Sequence, residues 1–362
     1  MRDGIEETAA EDGGAELRRP RLVYPLETAP EPGAGDAVEV APGVLWLRKP
    51  MGGALQFINV WALADGDGWT LVDTGLQNHE SAQAWRKAFA GVLGGKPVTR
   101  MIVTHLHPDH IGLAGWVTRK FQCRLWMTRL EYFQCRMLVA DTGREAPEDG
   151  VRFFRAAGWD DEAIDNYKAR FGSFGKMIYQ LPDSYRRMED GDEFQIGGHT
   201  WRVVTGNGHS PEHACLYCPE LKLLISGDQV LPRISSNVSV FPTEPDADPL
   251  YDWLTSLAKL KAVVPDEVLV LPAHNDPFHG LHARLDHLMA GHERSLGRLE
   301  KLLTKEPKRA VDVFGALFAR PIDGNLLGMA TGESLAHINC LIARGKAVRD
   351  VDTDGVAWYR AA

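Results

Sequence analysis

The chain has 362 residues, 44% of them hydrophobic and 25% charged, with a formal net charge of −9. That length and balance suit one or two globular domains whose core needs no covalent staples. The negative charge disfavours general attraction to nucleic acid or an anionic membrane, and five scattered cysteines do not make a disulfide framework.

Residues 1–36, rich in Gly, Glu, Ala and Pro, read as a mobile tail with a short extended piece around Val23 and Tyr24. Residues 1–21 carry Asp3, Glu6, Glu7, Glu11, Asp12 and Glu16 and no apolar run, which excludes a secretory signal. No stretch approaches the ~20 apolar residues of a membrane span. A reduced, cytoplasmic compartment is the expectation.

From Val38 onward strands and helices alternate. Strand-like runs lie at 44–47, 58–63 and 69–72, and the Asp-Gly pairs at 65–68 suit a hairpin between the last two. A helix is predicted over 81–93, closed by Gly94-Gly95, then a buried strand over 100–104 and a helix opening at Ile111. Residues 130–180 read as mainly helical, with aromatic and aliphatic residues from Phe153 to Ile178 recurring at helical spacing. Strands resume at 193–196, 200–204, 214–218 and 222–225. A helix over 250–263, a strand over 268–271 and a long helix over 281–303 follow. The alternation predicts an α/β layered protein.

Pro307 breaks the long helix. Three helices are expected beyond it, over 310–318, 325–329 and 333–344, then strands over 347–351 and 356–359 turned by Asp354-Gly355. Three helices and a β-wing suggest a winged-helix appendage over 306–362. From Arg309 to the end there are six Lys/Arg and six Asp/Glu, so the clustered positive charge that phosphate binding needs is missing. A structural or dimerising role is expected of this tail.

The sharpest signal is Thr104-His105-Leu106-His107-Pro108-Asp109-His110, three imidazoles and a carboxylate directly after a buried strand. Neutral imidazole and carboxylate oxygen are good ligands for first-row metals, and strand C-terminal ends are where α/β folds place their sites. His105 and His107 alternate along a loop and can face one metal; Asp109 and His110, past the turn at Pro108, can face a second. Three single candidates follow later strands, each behind small residues: His209, Asp228 and His274.

With these residues the chain resembles the metallo-β-lactamase superfamily, closest to its glyoxalase II-like hydrolase branch. The resemblance covers about residues 38–303 and implies an αββα sandwich with two divalent metals at one sheet edge. It implies that His105, His107 and His209 hold one metal, that Asp109, His110 and His274 hold the other, and that Asp228 bridges them. Asp73, in Leu71-Val72-Asp73-Thr74-Gly75, matches an early aspartate that orients the site from behind. An all-His/Asp set favours zinc, with manganese or iron as alternatives. The expected domains are a catalytic unit over 37–305, with a helical insertion at about 130–190, and the winged-helix-like unit.

The reaction so implied is hydrolysis by a metal-bridging hydroxide, with Asp109 or Asp228 moving the proton. The substrate is expected to be a small-molecule thioester or carboxylic ester rather than nucleic acid or a membrane component. A ribonuclease or phosphodiesterase, a lactone or β-lactam hydrolase, and a binding module with vestigial turnover are the alternatives. The insertion reads as a lid over the metals, with Phe154, Tyr167 and Phe171 lining an apolar channel, or else as a self-packed projection or a homodimer contact. Arg233, Ser235 and Asn237 are candidate substrate contacts. His213 reads either as another or as a strand-entry residue hydrogen-bonded in place. Cys215 and Cys218, three apart on a strand, should face opposite sides as core residues rather than form a redox pair.

Overall fold

The structure is a computed structural model and describes residues 20–362 except 54, 323 and 325. Strands β1 (Val38–Ala41), β2 (Val44–Pro50), β3 (Phe57–Asp65), β4 (Gly68–Val72), β5 (Val98–Ile102), β6 (Arg124–Thr128) and β7 (Arg186–Met188) form one sheet in that order. Its first four strands are antiparallel and β4 to β7 run parallel. Helices α1 (His79–Ala90), α2 (Pro108–Ile111), α3 (Ala114–Phe121), α4 (Arg129–Ala140), α5 (Glu148–Ala156) and α6 (Asp161–Arg170) lie between these strands in the chain. A second sheet has the order β12-β11-β10-β9-β8, from β8 (Glu193–Ile196), β9 (His199–Gly206), β10 (His213–Cys218), β11 (Leu223–Gly227) and β12 (Leu269–Pro272). The chain also contains α7 (Pro249–Val263) and α8 (Leu281–Leu303), then α9 (Phe314–Leu317), α10 (Leu327–Ala343) and the hairpin β13 (Ala347–Val351)–β14 (Ala357–Ala361).

Side-chain alternation sorts the strands into layers. Trp46, Trp61, Leu63 and Val72 of the first sheet meet Trp201, Val203, Leu216 and Ile225 of the second in a core between the sheets. Their neighbours point outward. Leu47, Val60, Ala62 and Leu71 pack under Trp85, Phe89 and Val117 of α1 and α3. Val204, Leu224 and Val270 pack under Trp253, Leu257 and Leu285 of α7 and α8. Two sheets buried on both faces give the αββα sandwich. Cys215 joins the outer core and Cys218 the core between the sheets, so the pair does face opposite ways.

Three expectations need correction. Residues 20–36 are not a loose tail: Val23 pairs with His279 through two backbone hydrogen bonds, and Leu22 packs on the outer core; residues 1–19 lie outside the described residues. The helices expected at 325–329 and 333–344 are one helix, α10. Gly332 lies inside it: a Cβ there would stand 2.7 Å from the Ser239 Cβ, so this glycine permits close approach. The helix expected at 310–318 is a 3₁₀ turn (Ala310–Val313) followed by the single turn of α9.

The insertion builds a small core of its own. Val151, Phe154 and Ile164 are buried against Phe153, Trp159 and Tyr167, with Phe154 stacked on Trp159 at 4.2 Å and beside Tyr167 at 4.8 Å. Phe171 leans on Tyr167. Phe154 and Tyr167 are therefore spent on holding α5 and α6 together, and the expected aromatic channel is not formed by them. Trp159 Nε1 donates to Thr331 Oγ1 at 2.9 Å, which ties the insertion to α10. Among the described residues no helix is long and apolar enough to cross a membrane.

Candidate metal centre

Five strand ends deliver the site. Asp73 follows β4, the His105 to His110 run follows β5, His209 follows β9, Asp228 follows β11 and His274 follows β12. Two glycines let the backbone turn there. Gly208 has φ +101°, and a Cβ on it would lie 2.5 Å from the Pro249 carbonyl oxygen; Gly227 has φ +51°, and a Cβ on it would lie 2.4 Å from His213 Nε2.

The side chains gather in two groups, His105, His107, His209 and Asp228 in one and Asp109, His110 and His274 in the other. Asp228 belongs to both in geometry. Its Oδ2 lies 3.4 Å from His209 Nε2 and 4.0 Å from His105 Nε2, and its Oδ1 lies 3.5 Å from His274 Nε2 and 3.6 Å from His110 Nε2. Asp109 Oδ2 is 3.3 Å from His274 Nε2 and 3.5 Å from His110 Nε2. A tetrahedral ion with bonds near 2 Å separates its ligand atoms by roughly 3.3 Å, so these spacings fit. His110 Nε2, His209 Nε2 and Asp228 Oδ1 are buried without a hydrogen-bond partner. Buried polar atoms left so within one small volume are what a metal site presents when its ligands converge.

Three of the rings are fixed from behind, which sets the nitrogen left facing inward. His110 Nδ1 lies 2.7 Å from Asp73 Oδ2, His209 Nδ1 2.7 Å from the Asn237 carbonyl and His274 Nδ1 3.2 Å from the Phe57 carbonyl. Asp73, itself at φ +61°, also accepts from Thr104 N and Thr104 Oγ1, both at 2.8 Å. Burial, with the neighbouring imidazoles, holds His105 well below the ordinary histidine range, and burial with His209 pushes His107 down to about 3. Both are neutral donors at physiological pH. Burial opposes charge on His110 as well, but Asp109, Asp73 and Asp228 outweigh it and raise its pKa.

The weaker candidates separate. His213 is fully buried; its Nε2 accepts the Asp228 backbone N–H at 3.1 Å. It holds the Asp228 backbone from the start of β10, as the reading of a strand-entry residue hydrogen-bonded in place had it, and not as a substrate contact. Arg233 and Ser235 are exposed on the loop after Asp228, Arg233 over the Tyr24 ring at 5.4 Å. Asn237 is committed: its carbonyl holds His209 and its amide donates to Glu333 Oε2 at 2.8 Å.

Three further residues escaped the sequence. Asn59 accepts from Trp46 Nε1 and donates to the carbonyls of Pro272 and Asn275, pinning the His274 turn; a lone amide inside the apolar run 58–63 was the available signal. Glu131, fully buried on α4, accepts from Leu106 N at 2.9 Å, Ser210 Oγ at 2.5 Å and Glu212 N at 2.8 Å. It thus clamps the loop of His105 and His107 to the loop of His209. Burial pushes its carboxyl up to about 7 against the pull of those donors. Glu333 is half-buried, and desolvation pushes its carboxyl up to about 7. Neither carboxylate sits in a recognisable pattern. Glu131→Ala leaves three donors facing a void and is expected to weaken metal binding by about 10–100-fold. Competition with a chromophoric chelator measures this; unchanged affinity would show that the two loops hold their spacing without the clamp.

The family model for the metallo-beta-lactamase superfamily matches residues 53–274. The chain belongs to the metallo-beta-lactamase superfamily. A second model, the metallo-beta-lactamase-like C-terminal domain, matches residues 296–362. A crystal structure of a beta-lactamase domain protein from Burkholderia ambifaria is 40% identical, with a TM-score of 0.85 over 94% of this chain and 98% of that one. The "Probable metallo-hydrolase YqjP" of Bacillus subtilis is 24% identical over 309 residues, 83% of this chain and 92% of that protein. An atrochrysone carboxyl ACP thioesterase of Aspergillus fumigatus is 25% identical over 234 residues, 64% of this chain and 41% of that protein. This superfamily member is a metal-dependent hydrolase with a His/Asp centre for divalent ions.

Proposed function

We propose that the protein hydrolyses a small-molecule thioester or carboxylic ester at a two-ion centre, with zinc as the ion. The observation that carries the two-ion reading is Asp228, whose two oxygens face the two ligand groups separately. The first ion would be held by His105, His107, His209 and Asp228, the second by Asp109, His110, His274 and Asp228. When bound, such ions supply Lewis acidity toward a carbonyl oxygen and lower the pKa of a water.

The rest of the work belongs to the chain. Asp73 and the Asn237 carbonyl keep the ligand rings oriented, so no reorganisation is needed during reaction. Asp109, with 16% of its side chain exposed against 10% for Asp228, is the carboxylate open to the mouth and takes the proton of the attacking water. Ile234 and Met329 are exposed apolar side chains on the two segments that flank Asn237, and they offer an acyl group its surface. Arg233 and Ser235 stand beside Ile234 as polar contacts. The thioesterase name among the relatives supports the ester class. The charge-neutral C-terminal segment supports a small molecule over RNA. Within the superfamily we read the chain as nearest the glyoxalase II-like hydrolases, with α10 and the β13–β14 hairpin as a winged-helix-like unit.

The test is turnover of a panel by zinc-loaded protein: acyl-CoA thioesters, aryl esters, lactones, β-lactams, a phosphodiester and single-stranded RNA. Thioester or ester hydrolysis is the expected result. Turnover of only a phosphodiester or RNA by fully metallated protein would replace this substrate class, and silence across the panel would favour a binding role.

A further inference from the structure

The C-terminal helix reaches the metal centre through one loop. Residues 237–240 follow Asp228 by nine positions and lie under the first turns of α10. Val240 N donates to the Gly332 carbonyl at 3.0 Å and Asn237 Nδ2 to Glu333 Oε2 at 2.8 Å, with Ser239 Oγ 3.4 Å from the Met329 carbonyl. Ser239 Oγ donates its one proton to Asn237 Oδ1 at 2.6 Å, so both ends of the Asn237 amide are held. The same residue's carbonyl accepts from His209 Nδ1 at 2.7 Å. The contact is close enough that Gly332 has no room for a Cβ beside Ser239. Beside the Val240–Gly332 backbone bond, the Asn237–Glu333 bond is the polar link from the helix that reaches the residue holding His209.

We propose that Glu333 is a positioning residue of the metal centre: from α10 it holds the Asn237 loop where its carbonyl fixes the His209 ring. On this reading the C-terminal segment is a working part of the site, although it supplies no metal ligand. A hydrogen bond behind a ligating histidine fixes its tautomer and orientation, and loss of such a partner typically lowers metal affinity by about 10–100-fold. The effect of Glu333 should fall on the ion held by His105, His107 and His209, and not on the ion held by His110 and His274. The His110 and His274 rings are oriented by Asp73 and the Phe57 carbonyl, which this loop does not touch. The inference rests on the two-ion reading.

Zinc titration of the full-length apo-protein against a chromophoric chelator tests it, with Glu333→Ala and Glu333→Gln beside the unmutated chain and thermal melts of each apo form. Glu333→Ala is expected to weaken one of two zinc equivalents about 10-fold or more and to leave the other within about threefold. Glu333→Gln keeps an oxygen that can accept from Asn237 Nδ2 and should restore most of the loss. Cobalt-substituted Glu333→Ala should show a changed visible spectrum for that one site. Equal weakening of both equivalents in step with a lowered melting temperature would make Glu333 merely structural and overturn the proposal. So would a titration identical to the unmutated protein. If Glu333→Ala does not fold, Gly332→Ala, whose new Cβ pushes on Ser239, must show the same one-site loss for the proposal to stand. An unmutated chain that binds a single equivalent would end the two-ion reading, and Glu333 would then be judged by whether its removal weakens that ion.

Discussion

Asp228→Ala is expected to lower kcat/KM by on the order of 10³-fold, about 4 kcal/mol, while the fold survives. The reason is its place between the ligand groups. Its two oxygens meet His209 at 3.4 Å on one side and His274 at 3.5 Å on the other, so one truncation opens both groups. The carboxylate is held well below its ordinary pKa: burial opposes ionisation, but His274 and His110 outweigh it. Alanine also removes the carboxylate that His110 and His274 face, so the apo-protein is expected to lose some stability beside the loss of activity. The backbone of residue 228 keeps its bond to His213 Nε2, which preserves the turn. Measurement of bound metal together with activity and melting temperature distinguishes the outcomes. Retained activity in Asp228→Ala with two ions bound would remove Asp228 from the bridge.

The second large effect lies away from the site. Lys49 on β2 is fully buried, its Nζ has no hydrogen-bond partner, and it sits 3.8 Å from the Trp85 ring centroid. Burial pushes its pKa down from 10.5 to about 7, with Asp36 pulling weakly the other way. Folding therefore favours the neutral amine. The stability associated with Lys49 is complete above about 10.5 and is lost as pH falls toward 7, below which it levels off. At roughly 1.4 kcal/mol per pKa unit that change is on the order of 4 kcal/mol between high pH and neutrality. The cation over Trp85 offsets about 2 kcal/mol of it. Lys49→Met, of similar length and unbranched, should then stabilise the protein by about 2 kcal/mol at pH 7 and have little effect near pH 10. Denaturant melts across that pH window are the check. A Lys49→Met chain less stable than its parent at pH 7 would mean that the cation–ring contact dominates.

What the sequence disclosed follows its physics. The seven ligand-type residues were legible because each stands just past an apolar strand, where a polar, titratable side chain has no structural reason to be. The αββα layering was legible from the same strands, since Leu47, Val60 and Val204 alternate with Trp46, Trp61 and Val203. The edge strands β1 and β7 and their short neighbour β6 were not, because short strands with mixed polarity carry little periodicity. Glu131 and Glu333 were invisible for a different reason. Each lies on a helix near other polar residues, and only tertiary contact shows that one faces two ligand loops and the other Asn237. The aromatic residues of the insertion misled by their number: Phe154, Trp159 and Tyr167 satisfy one another.

Leu335, Ala336, Ile338, Leu341 and Tyr359 close the same core as Val204, Leu224, Val270 and Trp253. During synthesis the outer face of the second sheet therefore stays uncovered until those late residues have left the ribosome. The opposite layer draws on residues up to Tyr185, with Ala273 coming later, and can close well before the chain is finished. The two halves of this sandwich thus mature at different times. The half that waits is the one carrying His209, Asp228 and His274, so a nascent chain can present the His105 to His110 run long before it has a centre to complete.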